Sequence, residues 1–274
     1  MKEEMEELKK IAKEIRRDIL LMLNVAGSGH VGGSLSCVEI LVSLYFKVMN
    51  YDPRRPSDKD RDRFVLSKGH AVPALYAVLS RAGVFPRNML WTLRKLGSPL
   101  QGHPDAKYLP GIEASTGSLA HGLSQACGMA LAGKLDKNPF RVYCLVGDGE
   151  MDEGLVWEAL LSASHYRLDN LCVVVDNNTL QIDGRCRDVM NIYPLEDKFK
   201  AFGLYTRSVD GHKFSELIGA FEEAKKNKGF PTVIIARTVK GKGVSFMEDK
   251  VEYHGVAPTD EELKKALEEI DEGD

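Results

Sequence analysis

Two stretches decide how this chain folds: Val142-Tyr143-Cys144-Leu145-Val146-Gly147-Asp148-Gly149 and, further on, Leu171-Cys172-Val173-Val174-Val175-Asp176-Asn177-Asn178. Each begins as an unbroken apolar run and ends in polar, turn-forming residues. A helical pattern from about Glu153 to His165 lies between them. Continuous apolar runs separated by a helix predict a βαβ unit in a parallel sheet covered on both faces. The pattern recurs once, with a helix near Phe214 to Lys226 leading into the buried strand Thr232-Val233-Ile234-Ile235-Ala236. Toward the N-terminus, Leu8, Ile11, Ala12, Ile15, Ile19, Met22 and Leu23 recur at helical spacing. A second apolar helix is expected from about Cys37 to Val48, followed by the polar turn Asp52 to Pro56. Thr259-Asp260-Glu261-Glu262 reads as a capping box opening a last acidic helix. The economical reading is one α/β domain over residues 1–274, a parallel β-sheet with helices on both faces and an N-terminal helical segment.

Composition agrees with a globular chain. Of 274 residues, 43% are hydrophobic and 28% charged, which excludes disordered and fibrous architectures. Forty acidic against 37 basic residues leave a net charge of −3, so nucleic acid is not an expected partner. Five cysteines (Cys37, Cys127, Cys144, Cys172, Cys186) with no CxxC pair argue against a zinc site or a disulfide framework. The N-terminus has no secretory pattern. The most apolar stretch, Val31 to Phe46, is interrupted by glycines, serines and Glu39, so no membrane span is expected. A cytoplasmic protein is the resulting expectation.

Three motif matches carry little. Gly27-Ser-Gly29-His-Val-Gly32 fits GxGxxG but follows a helix rather than a strand. Gly128 to Lys134 resembles a P-loop until Leu135, which has no hydroxyl for a metal, and reads as a helix of small residues. Asn177-Asn178-Thr179 is a formal glycosylation sequon in a chain with no secretory context. The informative pair is Gly147-Asp148-Gly149 with Asp176-Asn177-Asn178. One βαβ crossover sets these strand ends side by side, at the edge where open α/β sheets bind ligands. Asp148 and Asn178 then offer a carboxylate and an amide oxygen, a sparse hard-donor set suited to Mg²⁺ with phosphate oxygens and water. Gly149 leaves room for a diphosphate, and the following helix, with Glu153 in its first turn, is expected to turn its N-terminus toward that anion.

Gly147-Asp-Gly-Glu-Met-Asp-Glu-Gly154, a helix, a strand and Val174-Val-Asp-Asn-Asn178 together resemble the thiamine diphosphate motif of the transketolase family. The resemblance runs through nearly the whole chain. Arg16 or Arg17 with Gly29 to Leu35, Leu66-Ser67-Lys68-Gly69-His70, Gly102-His103-Pro104, Thr116 to Leu119 and Tyr253-His254-Gly255 follow in the family's order. It implies that Asp148, Asn178 and the Leu180 carbonyl ligate the metal, Mg²⁺ or another divalent ion such as Ca²⁺ or Mn²⁺. His70, Gly117, Ser118, Leu119, Gly149, Asn178 and His254 would hold thiamine diphosphate. His30, His103 and His254 would act on the substrate, and Glu153 would lie at a subunit contact. His30, His70, His103 and His254 each sit beside glycine or a turn, where neutral imidazoles can move protons and bond hydroxyls. His165 and His212 are left as ordinary surface or packing residues. The chain departs from the family at Ala120-His121, where Gly-Gln is common, and at Ser118, where proline is frequent; His121 is expected to pack.

The family also needs a pyrimidine-binding domain with an activating glutamate, and after Ile235 only one short helix remains. The resemblance therefore implies the diphosphate-binding half of a split transketolase, with a separate C-terminal subunit, an α2β2 assembly, sugar phosphate substrates as in the pentose phosphate pathway, and ketol transfer as the reaction. Two alternatives stand beside it: the α subunit of a 2-oxo acid dehydrogenase, and a non-catalytic cofactor-binding subunit. Donor and acceptor sugars stay open.

Overall fold

The structure is a computed structural model, and it describes residues 2–56 and 58–273. The chain opens with α1 (Lys2–Ala26), whose Leu8, Ile11, Ile15, Ile19 and Leu23 stripe is buried. Gly27, in the left-handed region at φ +64, ends it by donating to Leu23 O at 2.9 Å. A short α2 (Val31–Leu35) comes next, and the predicted single helix from Cys37 to Val48 is α3 (Val38–Ser43) running into a π-helical turn at Leu44–Val48, closed by Met49 N to Leu44 O at 2.9 Å.

β1 (Arg63–Leu66) leads through a 3₁₀ turn (Gly69–Ala71) into α4 (Val72–Ala82), and a long loop reaches α5 (His121–Leu135). Then come β2 (Val142–Gly147), a 3₁₀ turn (Gly149–Asp152), α6 (Gly154–His165) and β3 (Leu171–Asn177). A small antiparallel hairpin, β4 (Leu180–Gln181) with β5 (Gly184–Arg185), precedes α7 (Cys186–Val189) and α8 (Leu195–Ala201). β6 (Tyr205–Asp210), α9 (Phe214–Lys226), β7 (Thr232–Arg237) and α10 (Asp260–Glu272) complete the order. Thr259 and Glu262 form the predicted capping box.

The sheet runs β1-β2-β3-β7-β6 and every pairing is parallel. Alternate residues feed two cores. Tyr143, Leu145, Cys172, Val174 and Ile234 face α1, α3, α4 and α9, while Cys144, Val146, Val173, Val175 and Ile235 face α5, α6 and α8. That double burial is why the central strands are continuously apolar. The two outer strands escaped the sequence reading because neither has such a run: β1 is four residues long, and β6 lies at the edge with most of its residues partly open to solvent.

By composition, Val31–Val48 is apolar enough to cross a membrane, with mean hydropathy 1.5, which corrects the expectation that no stretch is. The fold explains it: 89% of that window is buried among the other helices and the sheet.

Candidate active site at the strand tips

The register settles the geometry that the motif pair required. Gly147 pairs with Asp176 across β2 and β3, and Asp148 N donates to Asp176 O at 3.2 Å. Asp148, Asn178 and Leu180 are all buried there. Asp148 accepts from Gly149 N at 2.9 Å and from Thr179 N at 2.5 Å. Burial, then the neighbouring Asp176, pushes its carboxyl up to about 7. Asn178 Oδ1 accepts from Leu180 N at 3.2 Å. Between Asn178 and Leu180, Thr179 is held at φ +68, an outlier for a β-branched residue that sets the amide and the next carbonyl on one short reversal. Among the described residues, no three His, Cys, Asp or Glu side chains are grouped to hold a metal. The donor set is a buried carboxylate, an amide oxygen and a carbonyl, and a buried carboxylate with no salt bridge among the described residues fits a hard divalent ion.

Helix geometry differs from expectation on one point. Gly149 opens a four-residue 3₁₀ turn capped by Asp148 itself, and α6 begins only at Gly154 with exposed Glu153 as its N-cap. The α-helix N-terminus is therefore set back from Asp148. Glycine at 149 is also required by packing, since a Cβ there would lie 2.9 Å from Gln181 Cβ.

The four singled-out histidines converge from four separate segments. His30 precedes α2, His70 follows β1, His103 lies on the α4–α5 connection, and His254 follows the 3₁₀ turn Val251–Tyr253. His30 is 5.3 Å from His70, 5.6 Å from His254 and 6.2 Å from His103 between ring centroids, and His70 is 5.3 Å from His254. Burial first, then nearby cations and the other imidazoles, lowers His30 to about 4 and His254 to about 3. His70 and His103 shift the same way. The cluster is uncharged near neutrality. Buried His30 Nδ1 has no hydrogen-bond partner, an orphan that a ligand would satisfy.

Gly117, at φ +152, lies under the His103 ring, where a Cβ would approach Cδ2 to 3.3 Å. Ser118 is exposed and Leu119 half-buried on the same loop. His121 does not pack: it is the exposed first residue of α5, its Nδ1 3.1 Å from Leu119 O. Ala120, where the family commonly has glycine, is buried at φ +68. His212 proves more engaged than expected, with Nδ1 2.9 Å from Glu39 Oε2 and Nε2 accepting from Val239 N at 2.9 Å. Glu39 also pairs with Arg16, and these partners outweigh its burial to hold it at about 2.

Sequence reading missed four residues here. Lys240, at the tip of β7, is buried; its Nζ is 3.3 Å from Leu180 O and 2.7 Å from His254 Nδ1, without a carboxylate partner among the described residues. Burial, with Lys68 nearby, lowers it to about 8. Its signal was weak: Lys240 opens the run Lys240-Gly241-Lys242-Gly243 shortly after the buried strand that ends at Arg237, on the edge already singled out. Lys68 pairs with Asp176, both fully buried, and also donates to Gly33 O at 2.9 Å. Asp176 further accepts from Ser36 Oγ at 2.6 Å, from Asn178 Nδ2 at 3.3 Å and from Thr238 Oγ1. Buried Glu150 accepts from Ser67 Oγ, Ala120 N at 2.7 Å and Gly147 N at 2.9 Å, joining the ends of β1, β2 and α5.

A parallel sheet whose strand tips gather oxygen donors, a buried ammonium and neutral imidazoles has the form of the ligand sites of open α/β enzymes. Residues 8–271 match the family described as transketolase, thiamine diphosphate binding domain, and the chain belongs to that family. It is 45% identical over 271 residues to the 6-deoxy-6-sulfo-D-fructose transketolase subunit SqwG of Clostridium sp. (strain MSTE9), covering 99% of this chain and 98% of that one. It is 40% identical to an apulose-4-phosphate transketolase subunit of Phocaeicola vulgatus, over 98% of this chain and 95% of the relative. These relatives are named as transketolase subunits, and transketolases are transferases. The transketolase of Homo sapiens is 45% identical over 256 residues, of which this chain spans 40% of the length. Transketolase from Leishmania mexicana superposes with a TM-score of 0.91 at 30% identity, over 96% of this chain and 41% of that one.

Proposed function

We propose that this chain is the diphosphate-binding subunit of a two-chain transketolase, moving a two-carbon ketol unit from a ketose phosphate or sulfonate to an aldose phosphate. The observation that carries the reading is the convergence of four neutral imidazoles with Lys240, Asp148 and Asn178 at the tips of one parallel sheet. Relatives of matching length bear subunit names, and single-chain transketolases are more than twice as long, which supports a separate pyrimidine-binding partner in an α2β2 assembly. The named substrates of two relatives, a sulfonated and a phosphorylated sugar, support an anionic sugar as donor.

Asp148, Asn178 and the Leu180 carbonyl would hold Mg²⁺, with Ca²⁺ or Mn²⁺ as substitutes. Lys240, His70, Gly149 and the Gly117-Ser118-Leu119 segment would face the diphosphate. The cofactor supplies a carbanion-stabilising thiazolium. This chain's residues bind and orient: His30, His103 and His254 bond sugar hydroxyls and pass protons without adding charge. Buried Lys240 offsets the diphosphate where water is excluded. The free, buried cysteines fit a reducing cytoplasm.

Co-expression with a candidate pyrimidine-binding subunit, followed by light scattering and a ketol-transfer assay, tests the reading. A heterotetramer with activity is expected. Full transfer by this 274-residue chain alone refutes the split site. Unchanged thiamine diphosphate affinity by calorimetry in Asp148→Ala with Mg²⁺ refutes the metal set.

A further inference from the structure

Lys240 keeps its place at the strand tips although no carboxylate anchors its ammonium among the described residues. An unpaired ammonium on a four-carbon stem is free to swing toward water, so its position depends on how firmly its backbone is held. Two main-chain bonds act on the segment Val239-Lys240-Gly241-Lys242: Gly241 N donates to Gly32 O and Asp249 N to Lys240 O, each at 3.0 Å. Two further grips come from side chains of distant elements. His212, between β6 and α9, accepts from Val239 N at 2.9 Å through Nε2. Arg16, on α1, donates from Nε to Lys242 O at 3.0 Å. Gly243, at φ +96, leaves room for that approach, since a Cβ there would lie 3.0 Å from Arg16 Cδ.

Both grips end on one carboxylate. Glu39, buried on α3, takes Nη1 of Arg16 at 2.6 Å and Nη2 at 2.9 Å, and has His212 Nδ1 at 2.9 Å. A backbone N–H only donates, so His212 Nε2 is unprotonated and Nδ1 carries the proton given to Glu39. Glu39 therefore fixes the tautomer and the ring direction that Val239 requires. The two parallel bonds to Glu39 also hold the Arg16 guanidinium in one plane, which aims its remaining Nε–H at Lys242.

We propose that Glu39, with His212 and Arg16, is a positioning unit for Lys240: it grips the backbone on both sides of that residue and so holds the ammonium against Leu180 O and His254. The inference rests on the diphosphate role given to Lys240 above, and names the residues that prepare Lys240 for it. Fixing the chain on either side of Lys240 removes freedom that a bound anion would otherwise have to restrict, which is preorganisation. Glu39 also ties α1 to α3, and that packing role would hold whatever stood at position 240, so the two roles can be separated.

The test uses the two-subunit complex with Mg²⁺, as wild type, His212→Asn, His212→Gln, Lys240→Met and the double variant His212→Asn with Lys240→Met. Asparagine sets an amide nitrogen where Nδ1 stands and keeps the Glu39 bond, but offers Val239 no acceptor. Glutamine sets a carbonyl oxygen where Nε2 stands and keeps the Val239 bond. By calorimetry, His212→Asn should raise the Kd for thiamine diphosphate about fivefold or more, the scale of one hydrogen bond, and His212→Gln less than about twofold. On Lys240→Met, His212→Asn should add nothing, because the group it misplaces is gone. Hydrogen exchange of the Val239 amide in the complex without cofactor should quicken in His212→Asn and not in His212→Gln. Equal losses of affinity in the two His212 variants, a full further loss on Lys240→Met, or wild-type exchange at Val239 in His212→Asn overturns the proposal. An unchanged Kd in Lys240→Met refutes the diphosphate role of Lys240, while faster Val239 exchange in His212→Asn leaves the positioning unit standing.

Discussion

Replacing Asp176 by asparagine probes the carboxylate on which the strand tips hang. The substitution keeps the shape and removes the charge. Lys68, 1% exposed in its side chain, then loses its counter-ion in a place water does not reach. Burial alone would raise the Asp176 pKa and lower that of Lys68, but the pair reverses both shifts. Removing one partner of such a pair costs about 3–5 kcal/mol, because the surviving charge is uncompensated. Against a total stability of about 5–15 kcal/mol, the variant stands near the edge of folding. Adding Lys68→Met removes the stranded ammonium and should recover about 1–3 kcal/mol, so the two changes are not additive. Urea unfolding of the ligand-free chain measures both through the midpoint at constant m. The pair's contribution is level between the ordinary values of 3.8 and 10.5. It is lost as pH falls through the lowered value of Asp176 or rises through the raised value of Lys68. A loss under about 1 kcal/mol in Asp176→Asn, or strict additivity in the double variant, refutes the reasoning.

Further outcomes follow from the same geometry. Lys240→Met should weaken thiamine diphosphate binding about tenfold or more by calorimetry while leaving unfolding midpoints close to wild type, since the ammonium has no carboxylate partner to strand. Ala120→Val should cost more than about 2 kcal/mol in urea unfolding, because a β-branched side chain would be forced into the buried left-handed site at φ +68. By NMR, His30 should titrate near pH 4 in place of its ordinary 6.5, and Arg94→Gln should move the midpoint upward. Because the folded value is depressed, His30 withdraws stability as pH falls from 6.5 toward 4 and is neutral in effect above that window.

The central strands were legible because burial on both faces leaves an unmistakable apolar run, and their tips followed from parallel pairing. Edge strand β6 mixes arginine, serine and threonine with single apolar residues, so nothing in its composition separates it from a loop. Asp148 and Asn178 could be read from strand ends alone, whereas the histidines needed the family resemblance: their convergence depends on loops whose paths no periodicity encodes. Lys240 sits in a Lys-Gly-Lys-Gly run that looks like a solvated turn, and only the tertiary path buries it. The helix expected to aim at the anion was displaced by a 3₁₀ turn, since Asp148 Oδ1 caps Gly149 and tightens the chain before α6 begins.

The histidine cluster draws on positions from 30 to 254, and the loop bearing Lys240 is stitched to the opening glycines by Gly241 N to Gly32 O at 3.0 Å. No contiguous fragment holds the pocket. Nascent chains must finish their last long-range pairings, the slowest steps of folding, before any ligand can be captured, and capture then draws the population toward the completed form.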